Sequence, residues 1–380
     1  MPARVACGGV RVAVVVEQVL APVPGGTGRY ARELAAALAA TAPTGGEVTG
    51  WTAWHRDAGP ARIGGVGGPR RLPLPRRGLV AAWERGVGPA PRADLVHAPT
   101  PLAPPRRGSP LVVTIHDAVP WTHPETLTAR GVAWHRRAAA LAARHADRIV
   151  VPTRAVADEL ASVLPGLGDR VSVIGEGTTH ALAGQPQDAD ERAGRLRLPG
   201  AGYLLSLATL EPRKGLDVLL AALAHPDAPD LPLLLVGQPG WGGVDPLAEA
   251  HRLGLAVDRV RTLGRLDDAD LAVVLHRATA LAAPSRAEGF GLPVLEAMAA
   301  GVPAVTSDAP ALVEVGGGAT VVVPRDDPAA LAAALARVTG PDVWERHSAA
   351  GRARAAHYSW SESARALWTL YEGLVTAPAT

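Results

Sequence analysis

Apolar runs and helical periods alternate along almost the whole chain. Val10 to Val16 is an unbroken apolar run, the mark of a strand buried on both faces of a parallel sheet. The glycine-bearing loop APVPGGTG follows, and a helix is expected from Arg29 to about Ala40. Further strands are expected at Leu95–His97 and Leu111–Ile115, a helix over Gly131–Arg148, and a strand–helix–strand unit across RIVVPTRAVADEL and RVSVIGEGTT. From Asp57 to Ser109, Pro, Gly and Arg dominate, and outside Leu95–His97 the stretch reads as loops. A polar segment bearing Pro and Gly, Ala181 to Gly202, reads as a linker. The alternation then resumes with strands Tyr203–Leu207, Leu233–Val236, Val260–Leu263, Thr279–Ala283 and Thr320–Val323, separated by helical patterns. The tail YSWSESARALWTLYEGL is an amphipathic helix with Ser359 or Ser361 as N-cap. This rhythm predicts an α/β protein with a Rossmann-like domain over 1–185, a linker over 186–202, a second Rossmann-like domain over 203–357 and a final helix over 358–380.

One stretch carries the clearest chemistry. Leu281 to Val305 reads as strand, glycine-bearing turn, helix and second strand. Pro293 suits the first helical turn, and Gly301 followed by Pro303 stops the helix. Ahead of it, Gly289, Phe290 and Gly291 leave backbone N–H groups at a helix N-terminus, where the dipole favours an anion such as phosphate. Glu288 and Glu296 bracket the turn. A phosphate-welcoming turn flanked by two acceptors suits a ligand with a central diphosphate and hydroxyl-rich ends, which describes a nucleotide-sugar. Arg213 and Lys214, in a loop before an amphipathic helix, form a second place able to hold a diphosphate. Lys214 is the single Lys of the chain and Phe290 the single Phe. A chain that writes Arg everywhere else places a Lys where a compact ammonium matters.

Two features of the first half point to ligands. The strand LVVTIHDAVP ends in His116-Asp117, and ligands of open α/β sheets collect at the carboxyl ends of strands. The cluster Gly25-Gly26-Thr27-Gly28 does not follow G-x-G-x-x-G, which argues against a dinucleotide oxidoreductase. Arg70, Arg71, Arg76, Arg77, Arg106 and Arg107 read either as solvated loop residues or as a basic rim for a phosphate-bearing or lipid-linked acceptor. Arg136, Arg137 and Arg144 add a basic helix face in the same domain.

Glu288 to Glu296 resembles the E-x7-E motif of retaining glycosyltransferases, and EGFGLPVLEAMAAGVPAV is similar to glycosyltransferase family 4. The resemblance implies the GT-B architecture: two Rossmann-like domains facing each other across a cleft, with the last helix crossing back to the first. It implies that Glu288 approaches the donor sugar, that Glu296 takes the ribose hydroxyls, and that the amides of Phe290, Gly291 and Leu292 hold the phosphates. EPRKG resembles the family's donor-phosphate loop, which gives phosphate binding and a catalytic part to Arg213 and Lys214. Some branches carry a separate Arg six residues before the Lys, where Ala208 stands here. The resemblance also implies a ligand role for Gly26, and it has His116 binding the donor sugar or positioning the acceptor. GQPGWGG resembles the branch that uses GDP-mannose. The family's Asn-Gly pair at the end of the first half is replaced by Gly175-Glu176-Gly177, a departure that weakens any ligand role there.

The totals exclude other classes. At 380 residues two domains are expected. With 38 basic and 36 acidic residues the formal charge of +2 is too balanced for a nucleic-acid protein. A single cysteine, Cys7, excludes an internal disulfide and a cysteine-built zinc site and fits a reducing cytosol. No signal peptide and no apolar segment of about twenty residues is visible, so a cytoplasmic protein is expected, at most peripheral on an anionic membrane face. Asp188-Ala189-Asp190 and Asp268-Ala269-Asp270 match D-x-D, but both lie where aspartates cap and turn, so no metal and no cofactor is expected. The expected activity is transfer of a hexosyl group, mannose first, from a nucleoside-diphosphate sugar to a hydroxyl of a glycan, a lipid-linked or a small-molecule acceptor. A non-catalytic donor-binding subunit, a sugar-nucleotide epimerase and a phosphorylase are the competing readings, the last requiring Lys214 as a Schiff-base lysine.

Overall fold

The computed structural model describes residues 9–377, so Cys7 lies outside the described residues. The chain forms two compact units. One comprises the residues up to Trp121, Arg130–Glu176 and the residues from Ser359 on; the other comprises Thr122–Ala129 and Gly177–Tyr358.

The first half runs β1 (Arg11–Val15), α1 (Gly25–Ala40), β2 (Glu47–Trp54), β3 (Gly67–Pro75), α2 (Arg76–Trp83), β4 (Leu95–Ala98), β5 (Leu111–Thr114), α3 (Val119–Thr122), α4 (Ala129–His145), β6 (Arg148–Val151), α5 (Arg154–Val163) and β7 (Val171–Val173). Among the described residues these strands make one parallel sheet in the order β3-β2-β1-β4-β5-β6-β7. The apolar runs became strands because both faces are covered: Val12, Ala13, Val14 and Val15 of β1 and all of β5 are buried.

Several expectations are corrected here. The helix expected at Arg29 begins at Gly25, so Gly26 lies in its first turn and not in a loop. Three glycines carry no apolar period to read, and Gly28 packs so closely that a Cβ would sit 2.4 Å from Pro24 Cβ. The stretch read as loops holds β3 and α2, and β2 precedes it. β3 carries three prolines as the edge strand of its sheet, where a missing N–H is tolerated. Arg70 and Arg71 therefore lie on β3, Arg76 and Arg77 open α2, and Arg148 begins β6.

The second unit continues with α6 (Ala189–Arg195), β8 (Leu204–Leu207), α7 (Leu216–Leu223), β9 (Leu233–Val236), α8 (Pro246–Arg252), β10 (Val260–Gly264), α9 (Asp268–His276), β11 (Ala280–Ala283), α10 (Leu292–Ala300), β12 (Ala304–Ser307), α11 (Pro310–Gly316), β13 (Val321–Val323), α12 (Pro328–Val338) and α13 (Pro341–Ala355). Among the described residues its parallel sheet has the order β10-β9-β8-β11-β12-β13. The stretch 186–202, expected as a linker, contains α6 and belongs to this unit. Its Arg192 and Arg195 bind Asp270 on α9, both at close range (2.7 and 2.8 Å). Asp188 pairs with Arg192 and Asp190 with Arg277, so these D-x-D carboxylates serve arginines.

The last helix, α14 (Trp360–Thr376), belongs to the first unit. Trp368 Nε1 donates to the Leu38 carbonyl on α1 at 3.0 Å. Tyr371 hydroxyl meets His97 Nδ1, and the Thr114 hydroxyl lies 2.8 Å from His97 Nε2. Burial pushes His97 down to about 3, with His116 adding to the fall, so this ring is neutral.

Candidate functional site

In the second unit the strand order reverses between β8 and β11, which is where open α/β sheets gather ligands. The loop after β8 carries Glu211 and the 3-10 turn Pro212–Lys214, and the loop after β11 carries Ser285 to Gly291. The loops touch directly: Arg286 N donates to Arg213 O at 2.8 Å. Gly215 permits that approach. Its φ is +64°, and a Cβ there would fall 2.2 Å from the Pro284 carbonyl oxygen. Lys214, Ser285, Glu288, Gly291 and Pro293 line one cleft with the end of β8.

The charged side chains expected to share a ligand bind one another. Lys214 Nζ donates to Glu288 Oε1 at 2.6 Å, and Ser285 Oγ donates to the same oxygen at 2.7 Å. Arg213 Nη1 donates to Glu288 Oε2 at 2.9 Å, while its Nη2 donates to Glu211 Oε1 at 2.7 Å. Burial by itself would raise the Glu288 carboxyl, but Lys214 and Arg213 pull it down to about 2. It is therefore a fixed anion at any physiological pH. Burial pushes the Glu211 carboxyl the other way, above the ordinary range, and the two cations only partly offset this.

Behind this cluster stands the N-terminus of α10. Gly291 is the N-cap at φ +96°, and no side chain caps the helix. Phe290, Gly291 and Leu292 are buried, and among the described residues their backbone N–H groups meet no acceptor. Buried amides without partners are costly unless a ligand or water takes them. The Phe290 ring packs edge-on to Tyr358, with centroids 5.5 Å apart, so its side chain is spent on packing. Glu296, buried on α10, accepts from the Thr179 hydroxyl at 3.1 Å.

His116 and Gly26 belong to the first unit. His116 Nε2 donates to the Pro99 carbonyl at 2.8 Å, and its Nδ1 lies 3.7 Å from Glu176 Oε1. Burial opposes the imidazolium, but the Glu176 carboxylate outweighs it and holds His116 above its ordinary pKa. The Glu176 that departs from the family's Asn-Gly pair thus serves as partner to this histidine. Gly26 is exposed, and a Cβ there would meet nothing within 4 Å. The arginines of the first half divide. Arg76 binds the buried Glu17 and Arg106 binds Asp147, whereas Arg70, Arg71, Arg77 and Arg107 are exposed.

Sequence reasoning missed Glu211 and Ser285 as members of the cluster and Thr179 as the partner of Glu296. Glu211 stood in the EPRKG wording beside the cations; nothing in the sequence marked Ser285 or Thr179.

Comparison with known proteins bears on this geometry. Residues 24–181 match the family model described as Glycosyltransferase Family 4, and residues 201–340 match that of Glycosyl transferases group 1. O-antigen chain mannosyltransferase B of Escherichia coli is 38% identical over 170 residues, 44% of each chain. Phosphatidyl-myo-inositol mannosyltransferase of Mycobacterium leprae is 39% identical over 173 residues, 44% of this chain and 45% of the relative. The matched part spans less than half the length of these two relatives. The structure of a sucrose-phosphate synthase from Thermosynechococcus elongatus superposes with a TM-score of 0.75 at 24% identity, covering 97% of this chain and all of that one. The two family matches together span most of the chain and fall on two parallel Rossmann-like sheets, so the chain carries a Glycosyltransferase Family 4 domain in its first half and a Glycosyl transferases group 1 domain in its second, on the GT-B fold.

Proposed function

We propose that the protein is a retaining glycosyltransferase that moves a hexosyl group, mannose first, from a nucleoside-diphosphate sugar to a hydroxyl of a glycan, lipid-linked or small-molecule acceptor. The observation that carries this reading is the pairing of Arg213 and Lys214 with Glu288 beside three unpartnered amides at residues 290–292. Two cations and three N–H donors suit a diphosphate, which competes with Glu288 for both cations and frees that carboxylate for the sugar. The mannosyltransferases named above favour mannose, and the GQPGWGG wording favours GDP as its carrier.

In this reading the bond between the anomeric carbon and the diphosphate oxygen breaks through an oxocarbenium-like state. The acceptor oxygen bonds to the same face, and its proton passes to the leaving phosphate. Negative charge grows on the diphosphate as it departs, so Arg213, Lys214 and the 290–292 amides stabilise the transition state more than the ground state. Glu288 orients the sugar and Glu296 receives the ribose hydroxyls. In the same reading His116 binds the donor sugar or positions the acceptor, and Gly26 has a ligand role. The exposed Arg70, Arg71, Arg77 and Arg107 suit a peripheral contact with an anionic membrane face on the cytoplasmic side.

The test is to incubate the protein with GDP-mannose, UDP-glucose and ADP- and TDP-sugars, with and without a panel of hydroxyl acceptors. Acceptor-dependent release of nucleoside diphosphate, with the anomeric configuration kept in the product, is expected. Because side-chain cations meet the leaving phosphate, EDTA should leave the rate unchanged. Binding without release would indicate a non-catalytic subunit, and isomerised sugar without acceptor an epimerase. Either result overturns the proposal.

A further inference from the structure

Glu211 is the acid of this cluster that the E-x7-E spacing does not announce. It stands immediately before the Pro212–Lys214 turn and is 2% exposed. Its Oε1 accepts from Arg213 Nη2 at 2.7 Å, whereas Oε2 is buried with no hydrogen-bond partner among the described residues. Glu288 lies across Arg213, its two oxygens already taken by three donors. The groups facing Glu211 are Arg213 and Lys214 from its own loop and Glu288 from the loop after β11. Two cations there balance two carboxylates.

A nucleotide-sugar brings two further negative charges to the same two cations. With every acid ionised the buried cluster would carry a net excess of two. Close like charges in a desolvated site do not all stay ionised, and one group takes a proton. Glu288 is the poorer candidate, because the Ser285 hydroxyl and the sugar hydroxyls it receives keep its oxygens supplied with donors once the cations turn to the phosphates. Glu211 has an oxygen left over.

We infer that Glu211 takes up one proton when a nucleoside-diphosphate sugar binds, so that donor affinity in this protein falls as pH rises. The proton comes from solvent and forms an O–H bond at Oε2; Oε1 keeps its bond from Arg213, and no other bond changes. Burial already pushes the Glu211 carboxyl up, and its pull from Arg213 and Lys214 is shared once the phosphates arrive. Glu211 is thus a positioning residue for Arg213 and a proton acceptor in binding. This rests on the reading of the cluster as a donor site.

The experiment is calorimetric titration with GDP-mannose, and in parallel with UDP-glucose, in buffers of differing ionisation enthalpy over roughly pH 5 to 8. Both phosphates of such a donor are esterified, so the ligand does not titrate there. Wild-type protein should show uptake rising towards one proton per donor, with Kd increasing by up to about tenfold per pH unit. Glu211→Gln should show heat independent of the buffer, a Kd flat with pH, and tighter binding than wild type at the alkaline end. A merely structural role would move none of these pH slopes. Should Glu211→Gln fail to fold, the wild-type titration decides alone. Donor binding with buffer-independent heat in wild type, or equal proton uptake in Glu211→Gln, overturns the inference and leaves the donor site standing. Binding of neither nucleotide-sugar removes both.

Discussion

Lys214 shows how much one side chain can carry. Its ammonium makes a charge-assisted bond of 2.6 Å to Glu288, and in the proposed reaction the same group turns to the departing phosphate. Such a bond contributes about 1.5–3 kcal/mol, so Lys214→Ala should lower kcat by roughly tenfold to a hundredfold. A steady-state assay with unchanged kcat would take Lys214 out of the mechanism. Glu296→Ala should instead weaken nucleoside diphosphate binding by about tenfold with a smaller change in kcat, since ribose binding is nearly equal in ground and transition states. Titration with GDP showing full affinity would contradict the ribose role. Glu288 has a second, thermodynamic signature. Its carboxyl sits at about 2 in the fold against 4.5 as the reference value. A depressed acid adds stability that is complete above the unfolded pKa and is lost as pH falls through the folded one. Melting curves taken between about pH 6 and 2 should therefore fall more steeply for wild type than for Glu288→Gln. Parallel curves would mean that the ion pairs contribute nothing.

At the scale of elements, the site depends on two loops that only glycine lets meet. Gly215→Ala would place a Cβ against the Pro284 carbonyl in a backbone at φ +64°, and the cost of roughly 1–3 kcal/mol should appear as a lower Tm together with weaker donor binding. Gly184→Ala, at a position with open space and an ordinary φ, is the control and should leave both unchanged. The same level explains what could be read from sequence. Strands such as β1, β5 and β9 are buried on both faces, and a continuous apolar run is hard to mistake. β2 alternates through Val48, Gly50 and Thr52, and a glycine and a threonine on the buried face hide the period. β3 hides behind its prolines, and α1 behind the glycines of its first turn. In the site, the residue types at 213, 214, 288 and 296 were legible because motif wording carries them. Their mutual pairing was not, because it joins loops 74 residues apart in sequence. The unpartnered oxygen of Glu211 and the Pro99 and Glu176 partners of His116 depend on three-dimensional packing alone.

At the scale of the whole molecule, the order of the chain is not the order of the units. Helix α14 comes last in sequence yet completes the first unit, where Trp360, Leu367, Trp368 and Tyr371 are buried. Burying each large side chain contributes about 1.5–3 kcal/mol, so removing four takes away stability comparable to a typical total of about 5–15 kcal/mol. A chain ending at Tyr358 should therefore expose the first unit to rapid limited proteolysis; wild-type resistance would show that α14 is dispensable. The proposed function rests on one claim: a donor diphosphate is held by Arg213, Lys214 and the amides of residues 290–292. The most direct measurement is a crystal structure with whichever of GDP-mannose or UDP-glucose binds in titration. The account predicts phosphate oxygens at about 2.7–3.2 Å from Lys214 Nζ, the Arg213 guanidinium and the Phe290 to Leu292 N–H groups. Phosphates bound elsewhere, with Lys214 and Arg213 still on Glu288, would contradict it.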